Sequence, residues 1–223
     1  MTEALLFDFG GTLDADGVPW KERFRRLYRA RGVAPAESAF DPVFYAADDA
    51  LVGALPPRSG LRETVSRLAV GVSAGLRVTD RRVTAEVAEC FVEDVLTYVG
   101  RNRALLARLH GPYRLGVVSN FYGNLDAVCK EAGIDGLFDV VVDSTCVGCT
   151  KPDPRIFHHA VDALGVTPAH ATFVGDSPSR DMAGARGVGM RHVWLIEDTT
   201  LAPKPCCPGD AVIGRLTDLE EVL

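Results

Sequence analysis

A basic excess is missing from this chain, whose 223 residues carry 24 Lys and Arg against 30 Asp and Glu for a formal net charge of −6. That balance argues against a general nucleic-acid-binding surface, which needs a clustered Lys/Arg face. Any anionic ligand has to be captured locally. Long apolar runs are missing too: none approaches the roughly 20 residues that span a bilayer, and the first residues lack a basic segment followed by an apolar stretch and a cleavage site. A cytoplasmic protein with neither membrane nor nucleic-acid partners is expected. Six cysteines are too few for a disulfide scaffold and are expected to be reduced in that compartment. Biased tracts and internal repeats are absent, and 47% hydrophobic with 24% charged residues is ordinary for a globular protein.

What is present is a series of short apolar runs ending in polar or glycine-rich turns: Ala4 to Phe7, Leu115 to Val118, Val140 to Val142, Thr172 to Val174 and Val193 to Ile196. Such runs predict buried strands. Helical patterns lie between them at Leu125 to Ala132, Pro154 to Leu164 and Asp181 to Gly187. Alternating strand and helix predicts an α/β fold with a parallel sheet covered by helices.

Residues 18 to 100 show helical segments and no convincing strand, which predicts an inserted helical unit entered at Asp16 and Gly17 and broken at Pro56, Pro57, Ser59 and Gly60. Its clearest helix is capped at Thr79 or Asp80 and places Val83, Val87, Phe91 and Val95 on one face. That stripe is expected in a core, with a dimer face as the alternative. Monomer and homodimer both fit.

Four polar segments each follow a predicted strand: Asp8-Phe9-Gly10-Gly11-Thr12-Leu13-Asp14, Ser119-Asn120, Thr150-Lys151-Pro152-Asp153-Pro154, and Gly175-Asp176-Ser177-Pro178-Ser179-Arg180-Asp181. Strand ends of an open parallel sheet converge on one edge, where ligands bind. Taken singly, each residue has a plainer reading. Asp8 could end a strand, Asp153 could cap a helix, Lys151 could be a surface lysine, and Thr12, Ser119 and Asn120 could serve turns. Asp8 resists its plain reading, because an unpaired carboxylate at the end of a buried strand costs several kcal/mol.

In order and context the four segments resemble the motifs of the haloacid dehalogenase-like hydrolase superfamily. The resemblance implies a Rossmann-like core over residues 1–16 and 101–223, with a helical cap, residues 17–100, inserted between the first and second motifs. It implies that Asp8 attacks phosphorus and forms an aspartyl-phosphate on a small phosphorylated substrate. Thr12, Ser119 and Asn120 would hold phosphoryl oxygens, and Lys151 would supply positive charge. Asp8, Asp176 and the Gly10 carbonyl would bind Mg2+, with Asp181 orienting waters or Lys151 at that metal site.

The pattern departs from the family at Gly10, where its phosphatases carry an aspartate that serves as acid and then base. Glycine supplies no proton, so a deficit of about 10²- to 10⁴-fold on ordinary esters is expected, unless Asp14, Asp16, the cap or the substrate provides one. Two alternatives are carbon-centred hydrolysis, which needs no protonated leaving group, and a phosphate-binding regulator that has lost turnover. Lys21, the one lysine of the insertion, is expected on a solvated helix face rather than in a Schiff base, and Arg58 is likewise expected in solvent. Cys146-x-x-Cys149 and Cys206-Cys207 suggest a zinc site. The implied five-strand core, however, separates the two pairs by about 19 Å at the usual strand spacing. A redox role for Cys146 and Cys149 would rest on a lowered thiol pKa. The histidines, His158 and His159 among them, show no ligand spacing.

Overall fold

The computed structural model describes residues 2–201 and 209–223. Its strands are β1 (Ala4–Phe7), β2 (Arg114–Ser119), β3 (Val140–Asp143), β4 (Ala171–Gly175), β5 (Arg191–Leu195) and β6 (Ala211–Ile213). They form one parallel sheet in the order β3-β2-β1-β4-β5-β6. Four helices lie between β1 and β2: α1 (Trp20–Arg29), α2 (Glu37–Asp49), α3 (Leu61–Gly75) and α4 (Arg81–Leu109). The others are α5 (Leu125–Glu131), α6 (Ser144–Val147), α7 (Pro154–Leu164) and α8 (Ala183–Gly187). This is a Rossmann-like α/β core.

β1 is flanked on both sides, so its continuous apolar run serves both faces of the sheet. Alternation splits it: Leu5 and Phe7 join the core shared with α1–α5, while Ala4 and Leu6 join the one with α7 and α8. Phe7 pairs with Val117 of β2 and Val174 of β4. The three strands therefore end nearly level, and the residues just beyond them meet at one edge.

The four-helix unit shares its apolar core with the sheet, through Phe9, Phe121 and Trp20. α4 begins at Asp80, whose carboxylate accepts from the Arg82 amide. Val87, Phe91 and Val95 of the expected stripe are buried and Val83 is partly covered, which makes the stripe core. The helix runs unbroken through residue 100, at about 1.5 Å per residue, and buries Leu105, Leu106 and Leu109 as well.

Two local features differ from the expected pattern. Asp181 to Gly187 divides into a wide helical turn at Pro178–Met182 followed by α8. β6 is an added strand, with only Ile213 of its three residues buried, too short to register as an apolar run. Asp153 caps α7 by accepting from the Arg155 amide, with Pro154 at the first helical position.

Candidate active site

Asp8 is the first residue beyond the central strand and is buried. Its Oδ1 accepts from the Phe9 amide at 2.8 Å and the Ser119 hydroxyl at 2.7 Å, and lies 2.8 Å from the Lys151 ammonium. Lys151 arrives from the loop after α6 and is 3% exposed. The Asn120 side chain holds that loop from both directions, accepting from the Lys151 amide at 2.7 Å and donating to its carbonyl at 3.2 Å. Asn120 thus spends its amide on positioning Lys151.

The same ammonium lies 2.7 Å from Asp181 Oδ1, while Asp181 Oδ2 accepts from the Ser177 amide. Burial works against the charge on Lys151, but Asp181 and Asp8 override it and hold its pKa above the ordinary lysine value. Asp176 completes the group: ligand atoms of Asp8, Asp176 and Asp181 all lie within 4.8 Å of one another. Burial raises Asp176 well above the usual carboxylate range, and the charges of Asp8 and Asp181 add to the rise. Burial also raises Asp181. Thr12 donates its hydroxyl to Asp176 at 3.3 Å. Gly11 sits at φ 89°, and a Cβ there would lie 2.5 Å from the Asp176 carboxylate, so only glycine permits this approach.

Three crowded carboxylates with one ammonium leave an excess of negative charge in a buried pocket. Hard oxygen donors with uncompensated charge are what magnesium favours, so the donor set fits that ion. Every expected site residue belongs to this assembly or, like Gly10, lines the cavity above it.

The space beside Gly10 is filled by Trp20. A Cβ on Gly10 would lie 3.2 Å from the indole nitrogen and 3.3 Å from Cδ1. The ring is pinned, because it donates to Asp14 at 2.6 Å and packs edge-on against Phe91 and Phe121. Asp14, fully buried, also accepts from the Gly11 amide and pairs with Arg23 at 2.8 Å. Asp16 accepts from Arg101 and the Leu216 amide. Neither lines the cavity over Gly10, and both are committed to these partners.

A cavity of about 280 Å³ opens over Gly10, Ser119, Asn120 and Asp176, walled by Trp20, Phe44, Tyr45, Phe121 and Tyr122 and carrying Lys21, Asp48 and Arg180. Lys21 therefore faces this cavity, a departure from the solvated face expected of it. It pairs with Asp41, whose hydrogen bond overcomes the lowering effect of burial and raises its pKa; that is the wrong direction for a Schiff-base amine. Asp48, Tyr122 and Arg180 carried no functional expectation. Arg180 lies inside the fourth motif and Tyr122 three residues after Ser119, which is the signal that placed them near the edge, whereas Asp48 had none. Arg58, His158 and His159 are exposed.

The Cys146 thiol is raised, by burial first and then by Asp143 and Asp126. That direction gives no support to the lowered thiol pKa on which a redox role would rest. Cys206 and Cys207 lie outside the described residues.

Comparison with known proteins agrees with this geometry. The family model for haloacid dehalogenase-like hydrolases matches residues 2–189. Haloacid dehalogenase-like hydrolase domain-containing protein 3 of Bos taurus is 43% identical over 95 residues, covering 43% of this chain and 36% of its own length. A phosphoserine phosphatase of Thermus thermophilus is 45% identical over 91 residues, covering 41% of this chain and 35% of its own. The match thus spans little more than a third of these curated relatives. A dehalogenase crystal structure with an intermediate bound superposes with a TM-score of 0.68 at 20% identity, covering 100% of this chain and 97% of that one; this likeness concerns the fold.

Proposed function

The chain belongs to the haloacid dehalogenase-like hydrolase family, and from that premise we propose that it is a magnesium-dependent phosphatase acting on a small phosphorylated molecule through an aspartyl-phosphate at Asp8. The observation that carries this reading is the Lys151 ammonium set between Asp8 and Asp181 at 2.8 and 2.7 Å. A point charge there lowers the repulsion between an anionic nucleophile and an anionic phosphoryl group. Ser119, Lys151 and the Phe9 amide all engage Oδ1 of Asp8, so Oδ2 is the oxygen we assign to attack. As the Oδ2–P bond forms, the ester P–O bond breaks; water then cleaves the acyl phosphate and releases inorganic phosphate.

Ser119 and Thr12, whose hydroxyls donate to Asp8 and Asp176, would turn them to the incoming phosphoryl oxygens. Asp8, Asp176, Asp181 and the Gly10 carbonyl would hold magnesium, which when bound supplies Lewis-acid neutralisation of those oxygens. The helical unit, residues 17–100, acts as a cap whose closure excludes water. The relative named as a phosphoserine phosphatase supports phosphoryl chemistry, whereas dehalogenation would leave the acidic cluster without a task.

The deciding experiment measures phosphate release from a panel of esters and acyl phosphates. Turnover should require Mg2+, stop with chelator, and vanish in Asp8→Asn and in Lys151→Met. Absence of release on every substrate, together with Mg2+-dependent binding of beryllium fluoride, would identify a binding protein and overturn the proposal.

A further inference from the structure

Position 10 cannot carry the proton that an alkoxide leaving group needs, because Gly10 has no side chain and the indole of Trp20 stands where one would project. Nearby carboxylates are set aside by their contacts or position: Asp14 is committed to Arg23, Trp20 and Gly11 and Asp16 to Arg101 and Leu216, while Asp41 pairs with Lys21 through Oδ2 and does not line the cavity. Two carboxylates line the cavity over the site among the described residues, Asp176 and Asp48, and the first belongs to the acidic cluster.

We propose that Asp48, carried into the cavity by α2, is the general acid and base of this phosphatase, a role that rests on the phosphatase reading above. In the first half-reaction the Asp48 carboxyl gives its proton to the ester oxygen as the P–O bond breaks and Asp8 takes the phosphoryl group. In the second, the Asp48 carboxylate takes a proton from the water whose oxygen attacks phosphorus. The Asp8–phosphorus bond breaks, phosphate leaves, and both side chains return to their starting states.

Two further observations support the assignment. Tyr122, itself 5% exposed, reaches from the loop after β2 to hydrogen-bond Asp48 Oδ1, which fixes the carboxylate toward the cavity they both line. Burial raises the Asp48 carboxyl above its ordinary value; the Tyr122 bond lowers it, Asp49 on the same helix raises it, and Arg180 from the turn after β4 lowers it. A raised carboxyl holds its proton closer to neutral pH, as a general acid must. Lys21, the remaining cation of the cavity, is neutralised by Asp41.

The test is a leaving-group series of substituted phenyl phosphates, from 4-nitrophenyl to 4-methoxyphenyl, assayed with Mg2+ in the wild type and in Asp48→Asn. A nitrophenolate departs without a proton and a methoxyphenolate benefits from one. The variant should therefore lose less than about tenfold on the first and about 10²-fold on the second, steepening the plot of log kcat/KM against leaving-group pKa. Tyr122→Phe supplies an independent readout: with the donor gone the Asp48 pKa rises, so the fall of kcat/KM at high pH should move to higher pH. Parallel plots for wild type and Asp48→Asn, or an unmoved limb in Tyr122→Phe, overturn the role of Asp48 while the phosphatase stands. No turnover of any ester by the wild type overturns the phosphatase reading itself.

Discussion

At the scale of single residues, the site is a problem of charge. Asp176 and Asp181 are raised by burial and by their anionic neighbours, so the folded state binds protons more tightly than the unfolded chain. A carboxylate with a raised folded pKa is protonated in the folded state first, and stability falls as pH climbs from the unfolded value toward the folded one. A divalent cation removes that penalty. In a chelator, the melting temperature should drop between acidic and neutral pH relative to the same protein with Mg2+, and the gain from Mg2+ should be larger at pH 7.5 than at pH 5. Equal gains at both would mean that the cluster does not take up the ion.

At the scale of elements, the turn after β1 is held to α1 by the buried Asp14–Arg23 pair, with side-chain exposures of 0% and 6%. Truncating one partner leaves an uncompensated buried charge, so Arg23→Ala should cost about 3–5 kcal/mol of stability in denaturant unfolding; a loss under about 1 kcal/mol would show that water reaches Asp14. Much of this level was legible in the sequence. Asp8, Ser119 and Asp176 stood out because an apolar strand ends abruptly in a group that burial penalises, and parallel strands have to end on a common edge; Lys151, in the loop after α6, stood out only through the resemblance of its segment to a family motif. Trp20 was not legible, since an aromatic residue at a helix start reads as ordinary core. Nor was Asp48: on α2 it is one of several acids, with Asp41 and Asp49, and only the tertiary approach of Tyr122 sets it apart. β6 was lost because three residues cannot establish a period.

At the scale of the whole molecule, the helical unit touches the sheet edge that carries the candidate site through polar contacts as well as through its core. Arg26 of α1 makes a bidentate pair with Glu197 beyond β5, and Asn124 before α5 donates to the Ser59 carbonyl and the Thr64 hydroxyl. Both Arg26 and Glu197 are about half exposed, and such pairs contribute under about 1 kcal/mol. Glu197→Gln should therefore leave the melting temperature within about 2 °C while raising KM, if closure of the cap over substrate draws on this contact. An unchanged KM would assign closure to the apolar core and the Asn124 contacts.

The indole beside Gly10 has a consequence for descent. Two of the four glycine codons differ from an aspartate codon by a single base, so from either of those the family's usual acid is one mutation away from position 10. In this fold that step meets Trp20, held by Asp14, Phe91 and Phe121, and the indole would have to give by a few tenths of an ångström to admit even the added Cβ. Restoring an aspartate at position 10 therefore draws on the packing around Trp20 as well as on the codon.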